Sequence, residues 1–303
     1  MHLQILGAEL QQRIRGRVLV EEPLARHTTF RIGGPADLLA LPEDRSDLET
    51  CLQFSREKGL PLWVMGHGSN LLVREKGVRG LVVKTARLSR IQMDGCLVRA
   101  EAGAPLSRIL AAAREAGLTG LEFAAGIPAS LGGAVVMNAG TPEGSLGQVV
   151  RKVEVMARDG RMDTWESEEV GFTYRGSKLR GAGLVVTAVE LSLGRGDKKQ
   201  IAELIAHKLA LRRQKQPLNW PNAGSVFKNP PGCPAGRLIE MVGAKGWRQG
   251  DAQVSSLHAN FIINRGAATA ADVLALVERI QKAVADRFGI MLEMEIEVWG
   301  DGP

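Results

Sequence analysis

The chain has 303 residues, 45% of them hydrophobic and 24% charged, with 36 glycines and 13 prolines. At roughly 150 residues per domain this allows two or three compact units and excludes a disordered or fibrous chain. The net charge of +6 favours anionic ligands in general, but the scarcity of aromatics, with a single tyrosine, excludes the interleaved aromatic and basic surface of a single-strand nucleic-acid binder.

No run approaches the roughly 18 apolar residues of a membrane helix. Met1–Val20 breaks its apolar residues with Gln and Arg, unlike a secretory signal. Cys51, Cys96 and Cys233 are odd in number and far apart, which fits neither a disulfide framework nor a zinc site. The five histidines share no metal spacing. The expectation is a cytoplasmic, soluble protein with no metal, no nucleic acid or membrane partner and no obligate protein partner.

The first 195 residues read as short β-branched runs between glycine turns, an α+β pattern. Strands are expected over Leu60–Met65, Leu81–Lys84, Val153–Ala157 and Leu184–Leu193. One clear helix lies between Pro105 and Glu115, where Leu106, Ile109, Leu110 and Ala113 fall at helical spacing. Gly194-Arg195-Gly196-Asp197 interrupts the pattern and marks a boundary. Beyond it a helix is expected over Lys198–Gln214 with Ile201, Leu204, Ile205 and Leu209 on one face. A second starts at a Thr269 cap, carries the stripe Val273, Leu276, Val277, Ile280, Val284 and Phe288, and stops at Gly289. Ile290–Val298 then alternates apolar residues with Met291, Glu293, Glu295 and Glu297, the period of a strand.

Two glycine-rich segments are candidate anion sites. Gly66-His67-Gly68-Ser69-Asn70 puts a tight turn between apolar runs. Its backbone N–H groups suit a pyrophosphate, with Ser69 and Asn70 as added donors, although an ordinary hairpin loop reads the same way. It has neither the third glycine of a Rossmann fingerprint nor the Lys-Ser/Thr ending of a P-loop. The run Gly126-Ile127-Pro128-Ala129-Ser130 followed by Gly132, Gly133, Asn138 and Gly140 is almost free of bulk and charge. It suits a large flat cofactor against the backbone, with N–H groups at a helix start facing phosphates; a buried packing seam is the bland reading. Two such loops favour a dinucleotide.

Tyr174-Arg175 sets the only tyrosine beside an arginine whose fork fits a carboxylate, though a surface arginine is the commoner case. Ser225 opens a short expected strand ahead of Lys228 and Asn229; with no Gly-x-Ser-x-Gly around it, proton donation suits it better than acyl attack. Of the three late glutamates, two read as a solvated face. Glu295 is the one placed for acid or base work if the strand edges a cleft.

In this order and spacing the motifs resemble one family, the flavin-dependent UDP-N-acetylenolpyruvoylglucosamine reductases of bacterial cell-wall synthesis. The likeness runs from His27-Thr28-Thr29-Phe30-Arg31-Ile32-Gly33-Gly34-Pro35-Ala36-Asp37 through both glycine loops, Tyr174-Arg175, the Ser225 segment and His258-Ala259-Asn260-Phe261 to Leu292-Glu293-Met294-Glu295. The resemblance implies a two-lobed FAD-binding part of the vanillyl-alcohol-oxidase (PCMH) type, lobes 1–85 and 86–195, and an α+β substrate-binding domain, 196–303. It further implies noncovalent FAD reduced by NADPH, and hydride transfer to C3 of the enolpyruvyl group of a UDP-sugar, giving UDP-N-acetylmuramate.

By the same resemblance Ser225 protonates C2, Arg175 and Glu295 stabilise the intermediate, and Tyr174, Lys215 and Asn229 contact substrate. Gly66, His67, Gly68, Ser69, Asn70, Gly126, Ile127, Pro128, Ala129, Ser130, Gly132, Gly133, Asn138 and Gly140 would line the FAD. The direct run from Tyr174 into a strand resembles the shorter, type II form. His27, His67 and Thr141-Pro142-Glu143 depart from the usual pattern. A flavin oxidase on the same fold and a redox-silent nucleotide-binding scaffold are the rival readings.

Overall fold

A computed structural model describes residues 1–300. Asp44 starts α2 (Arg45–Glu57) by accepting the Asp47 N–H, and the helix buries Leu48, Cys51, Leu52 and Phe54. With α1 (His2–Arg13) it covers a four-stranded sheet ordered β1-β2-β5-β3, formed by β1 (Arg17–Pro23), β2 (Pro35–Leu41), β3 (Leu62–Met65) and β5 (Val78–Lys84). Leu10, Leu38, Leu52, Leu81 and Val83 share the resulting core. Neither helix is among the sequence expectations, although Leu48, Cys51, Leu52 and Ser55 repeat at helical spacing and are all buried.

A second, antiparallel sheet runs β12-β11-β13-β7-β6, from β6 (Ile91–Asp94), β7 (Leu97–Glu101), β11 (Val150–Met156), β12 (Met162–Glu166) and β13 (Val185–Ser192). The helix expected after Pro105 is α3 (Leu106–Glu115), and it buries the four residues its spacing selects. With α4 (Leu131–Val136) it packs on this sheet around Val98, Ile109, Leu131, Val153 and Val189. The later helix, α6 (Lys198–Lys215), buries Ile201 and Ile205 only. Leu204 is instead 44% exposed, because at 100° per residue it lies about 60° from residue 201 and about 100° from residue 205, on the side away from 209.

The chain divides into two compact units, one of residues 1–21, 37–67 and 80–211, the other of residues 22–36, 68–79 and 212 onward. The second unit is built on α8 (Ala270–Phe288), whose Thr269 and Asp272 cap each other and whose C-terminus turns left-handed at Gly289. It packs with α7 (Ala235–Met241) and a meander of β15 (Arg248–Gln249), β16 (Ala252–Val254) and β17 (Ile262–Asn264). Phe30, Ile32 and Leu72 enter the same core from the early segments. No helix among the described residues is long and apolar enough to cross a membrane.

The continuous strand expected over Ile290–Val298 is a correction. Its burial alternates, Leu292 and Ile296 inside, Met291 and Glu293 outside, but its hydrogen bonds go to two partners in turn. Lys228 N–H meets Glu293 O at 2.9 Å and Glu295 N–H meets Val226 O at 2.8 Å, around a single bridge Phe227–Met294. Only β18 (Glu297–Trp299) is regular, parallel to β4 (Leu71–Val73). The change of partner breaks the ladder while the side-chain alternation survives. For the same reason the strand expected at Ser225 is a lone bridge at Phe227.

Candidate flavin and substrate site

In the first unit the two glycine runs meet directly. A Cβ on Gly66, just past β3, would lie 1.8 Å from Ser130 Oγ, so glycine alone lets the loops pack at this spacing. Ser130 is buried, and Ala129 beside it accepts the Leu106 N–H at 3.0 Å. The His67 ring is held by the Ala129 backbone; burial, then the nearby Lys84, push its pKa down, and the Ala129 bond opposes them. Burial also lowers the Lys84 amine at the end of β5. Lys84 was not singled out from sequence; the one signal is a lysine closing the apolar run Leu81-Val82-Val83.

The second run turns at Gly126, φ +77°, with Pro128 exposed and Ile127 half-buried. At the start of α4, Leu131 and Gly132 give their N–H groups to the carbonyls of Ala104 and Ala102. A Cβ on Gly132 would meet Ala102 Cβ at 2.8 Å, so Gly132 is a packing position, whereas one on Gly133 would touch only Ser130 Oγ, at 3.4 Å. Gly133 therefore presents bare, exposed backbone to which a flat group can approach, and the partly desolvated His67 and Lys84 suit an anion. These residues fit a flavin dinucleotide.

Tyr174 is exposed and Arg175 half-buried in a tight turn in which Thr173 N–H bonds Gly176 O at 2.9 Å. Arg175 has φ +55°, its Nη1 donates to Gly140 O at 2.8 Å, and its guanidinium lies 5.5 Å from the Tyr174 ring centre. Asn138, φ +44°, follows α4 and is buried.

In the second unit Ser225 and Glu295 lie on neighbouring backbone segments joined by the Glu295 N–H to Val226 O bond of 2.8 Å. Asn260, part of a quoted motif but given no role from sequence, braces this place: its Oδ1 accepts Phe227 N–H at 2.9 Å and its Nδ2 donates to Phe227 O at 2.8 Å. Asn70 Nδ2 donates to Glu295 O at 3.0 Å, so this loop side chain fixes the glutamate's backbone. Gly68, φ +67°, is buried and accepts Thr29 N–H at 3.2 Å, and Ser69 is half-buried beside it. Asn229 Oδ1 accepts Ala235 N–H at 2.9 Å, while Lys215 is exposed at the end of α6. Glu293 pairs with Lys228; Glu295 is half-buried. Among the described residues no cluster of His, Cys, Asp or Glu is placed to hold a metal ion.

Residues 36–164 match an FAD binding domain, and residues 216–299 match the UDP-N-acetylenolpyruvoylglucosamine reductase C-terminal domain. The berberine bridge enzyme of Eschscholzia californica, 17% identical, shares the fold over 64% of this chain and 44% of its own, with a TM-score of 0.50. The class is thus an FAD-dependent oxidoreductase on the two-lobed PCMH-type fold with an α+β C-terminal domain.

The UDP-N-acetylenolpyruvoylglucosamine reductase of Moorella thermoacetica is 58% identical over the whole of both chains. The crystal structure of the Thermus caldophilus enzyme is 40% identical, covers 95% of this chain and 100% of that one, and gives a TM-score of 0.81. The chain belongs to the UDP-N-acetylenolpyruvoylglucosamine reductase family, flavoproteins of peptidoglycan synthesis.

Proposed function

We propose that the chain reduces the enolpyruvyl ether of UDP-N-acetylglucosamine to UDP-N-acetylmuramate at the expense of NADPH, in the cytoplasm, with Ser225 as proton donor. Bound FAD supplies the hydride relay between nicotinamide and the enolpyruvyl double bond. Gly66, His67, Gly68, Ser69 and Asn70 with Gly126, Ile127, Pro128, Ala129, Ser130, Gly132, Gly133 and Gly140 would hold it, and the half-buried His67 and Lys84 would supply polar groups for its phosphates. Lobes 1–85 and 86–195 carry the cofactor, and 196–303 the substrate.

Hydride addition at C3 adds negative charge to a group that is already a carboxylate. Arg175 offsets that charge with a fixed fork. Glu295 sits with Arg175 by the substrate carboxylate and helps to stabilise the intermediate, and Ser225 delivers H⁺ to C2. Tyr174, Lys215 and Asn229 contact the substrate. The single observation that carries the reading is the backbone pairing that sets the Ser225 segment against Glu295, locked by Asn260 from the far side.

Anaerobic half-reactions test it. The purified protein should be yellow, bleach with NADPH, and recover its colour on adding the enolpyruvyl UDP-sugar. A colourless protein would favour a scaffold, and rapid reoxidation by oxygen alone an oxidase. Ser225→Ala should bleach normally but slow reoxidation by the sugar nucleotide by about 10²–10⁴-fold; equal slowing of both halves removes the serine from proton donation.

A further inference from the structure

Asn138 is a non-glycine residue in left-handed backbone, φ +44°, a conformation that disfavours any L side chain and is tolerated best by Asn. What holds it there is its amide. Nδ2 donates to Thr173 O at 2.8 Å and Oδ1 accepts Gly147 N–H at 2.9 Å, so both ends are engaged within the protein. Thr173 is the residue whose backbone closes the turn bearing Arg175. The other side of that turn is tied by Ser177 Oγ to Val136 O at 2.8 Å, and the arginine itself by Nη1 to Gly140 O at 2.8 Å. Three alternate residues of the turn, 173, 175 and 177, therefore land on three alternate residues of the second glycine run, 138, 136 and 140 in some order. Of these three anchors on the run, Asn138 alone acts through a side chain; the other two are backbone carbonyls.

We propose that Asn138 is a positioning residue for Arg175, indexing the arginine turn to the segment that lies against the cofactor rather than contacting the cofactor through its own amide. The proposal rests on the reading of Arg175 as the carboxylate clamp. A fork displaced by a fraction of an ångström loses its match to a planar carboxylate. A glycine at 138 keeps the backbone turn free of strain and deletes both hydrogen bonds. An aspartate keeps the acceptor for Gly147 and sets an oxygen against the Thr173 carbonyl, so it attacks the arginine arm alone.

The test uses the flavin-loaded enzyme under anaerobic rapid mixing, with Asn138→Gly, Asn138→Asp, Arg175→Ala and the double variants. Both Asn138 variants should retain full flavin content and an unshifted flavin spectrum, and should be reduced by NADPH within about twofold of the parent. Reoxidation by the enolpyruvyl UDP-sugar should slow by about 10- to 100-fold. In the Arg175→Ala background neither Asn138 change should slow it further, since the two residues act as one unit. Flavin loss, or equal slowing of both half-reactions, overturns the proposal in favour of a cofactor or folding role. Effects that multiply in the double variants overturn it too, and leave the arginine's role standing. If Arg175→Ala alone leaves reoxidation unchanged, the clamp reading fails and the positioning role falls with it.

Discussion

A carboxylate surrounded by backbone amides fixes the start of α2. Asp47 is 4% exposed and accepts the N–H groups of Arg15, Gly16 and Glu43 at 3.1, 2.8 and 2.9 Å. Burial raises its pKa, but these bonds to the charged form outweigh burial and leave it lowered. A folded pKa below the unfolded value of about 3.9 means the contribution is full above that value and lost as pH falls through the folded pKa. Asp47→Asn should cost about 1.5–3 kcal/mol at pH 7 and flatten the acid limb of a denaturation series. An unchanged acid limb would show that other carboxylates set it. One helical turn on, Cys51 is fully buried, and desolvation with the Asp47 charge pushes its thiol up to about 12. Alkylation at pH 8 should spare Cys51 in the native protein and reach it after denaturation, read by peptide mass. Because an unfolded thiol ionises near pH 8.5, this cysteine weakens the fold as pH rises above that value.

The helix α8 shows an element legible in sequence. Thr269 Oγ1 accepts Asp272 N–H and Asp272 Oδ2 accepts Thr269 N–H, each at 3.0 Å, and Glu75 adds a carboxylate at the N–H groups of Ala270 and Ala271. Thr269→Ala should cost about 1 kcal/mol and Thr269→Ser little, measured by denaturant midpoint at constant slope; a larger loss would mean Glu75 depends on the cap. Cap, stripe and Gly289 are all local, so the sequence displays them. The alternation of Ile290–Val298 is local too and predicts its burial, but which backbone it pairs with is not, and two partners divide it. The same limit applies at the candidate site. Each glycine loop is readable alone, whereas the meeting of Gly66 with Ser130 and the tie of Asn138 to Thr173 are contacts across long stretches of chain. Asn260 shows the limit most sharply, since nothing in a short polar motif says that its amide will bracket Phe227.

At the scale of the whole chain, the second unit draws its core from three separate stretches of sequence. Phe30 is fully buried in it and Leu72 likewise; Asn264 Nδ2 donates to Phe30 O at 3.2 Å, and β18 has β4 as its parallel neighbour. A fragment beginning at residue 212 keeps α7, α8 and the meander, yet loses those side chains and the strand that pairs with β18. Its apolar face would be uncovered and the backbone of β18 left to water, so it should show helical circular dichroism without a cooperative thermal transition. A sharp, reversible melt of the fragment would mean that the early segments only decorate a self-sufficient domain. In the full chain the complementary change is Phe30→Ala, which should cost about 3–5 kcal/mol. The cost should fall on the second unit: amide exchange at Val226 and Glu295, whose N–H groups are bonded to Asn260 O and Val226 O, should accelerate, while exchange at β11 and β13 of the first unit stays slow. Acceleration spread evenly over both units would mean that they unfold as one.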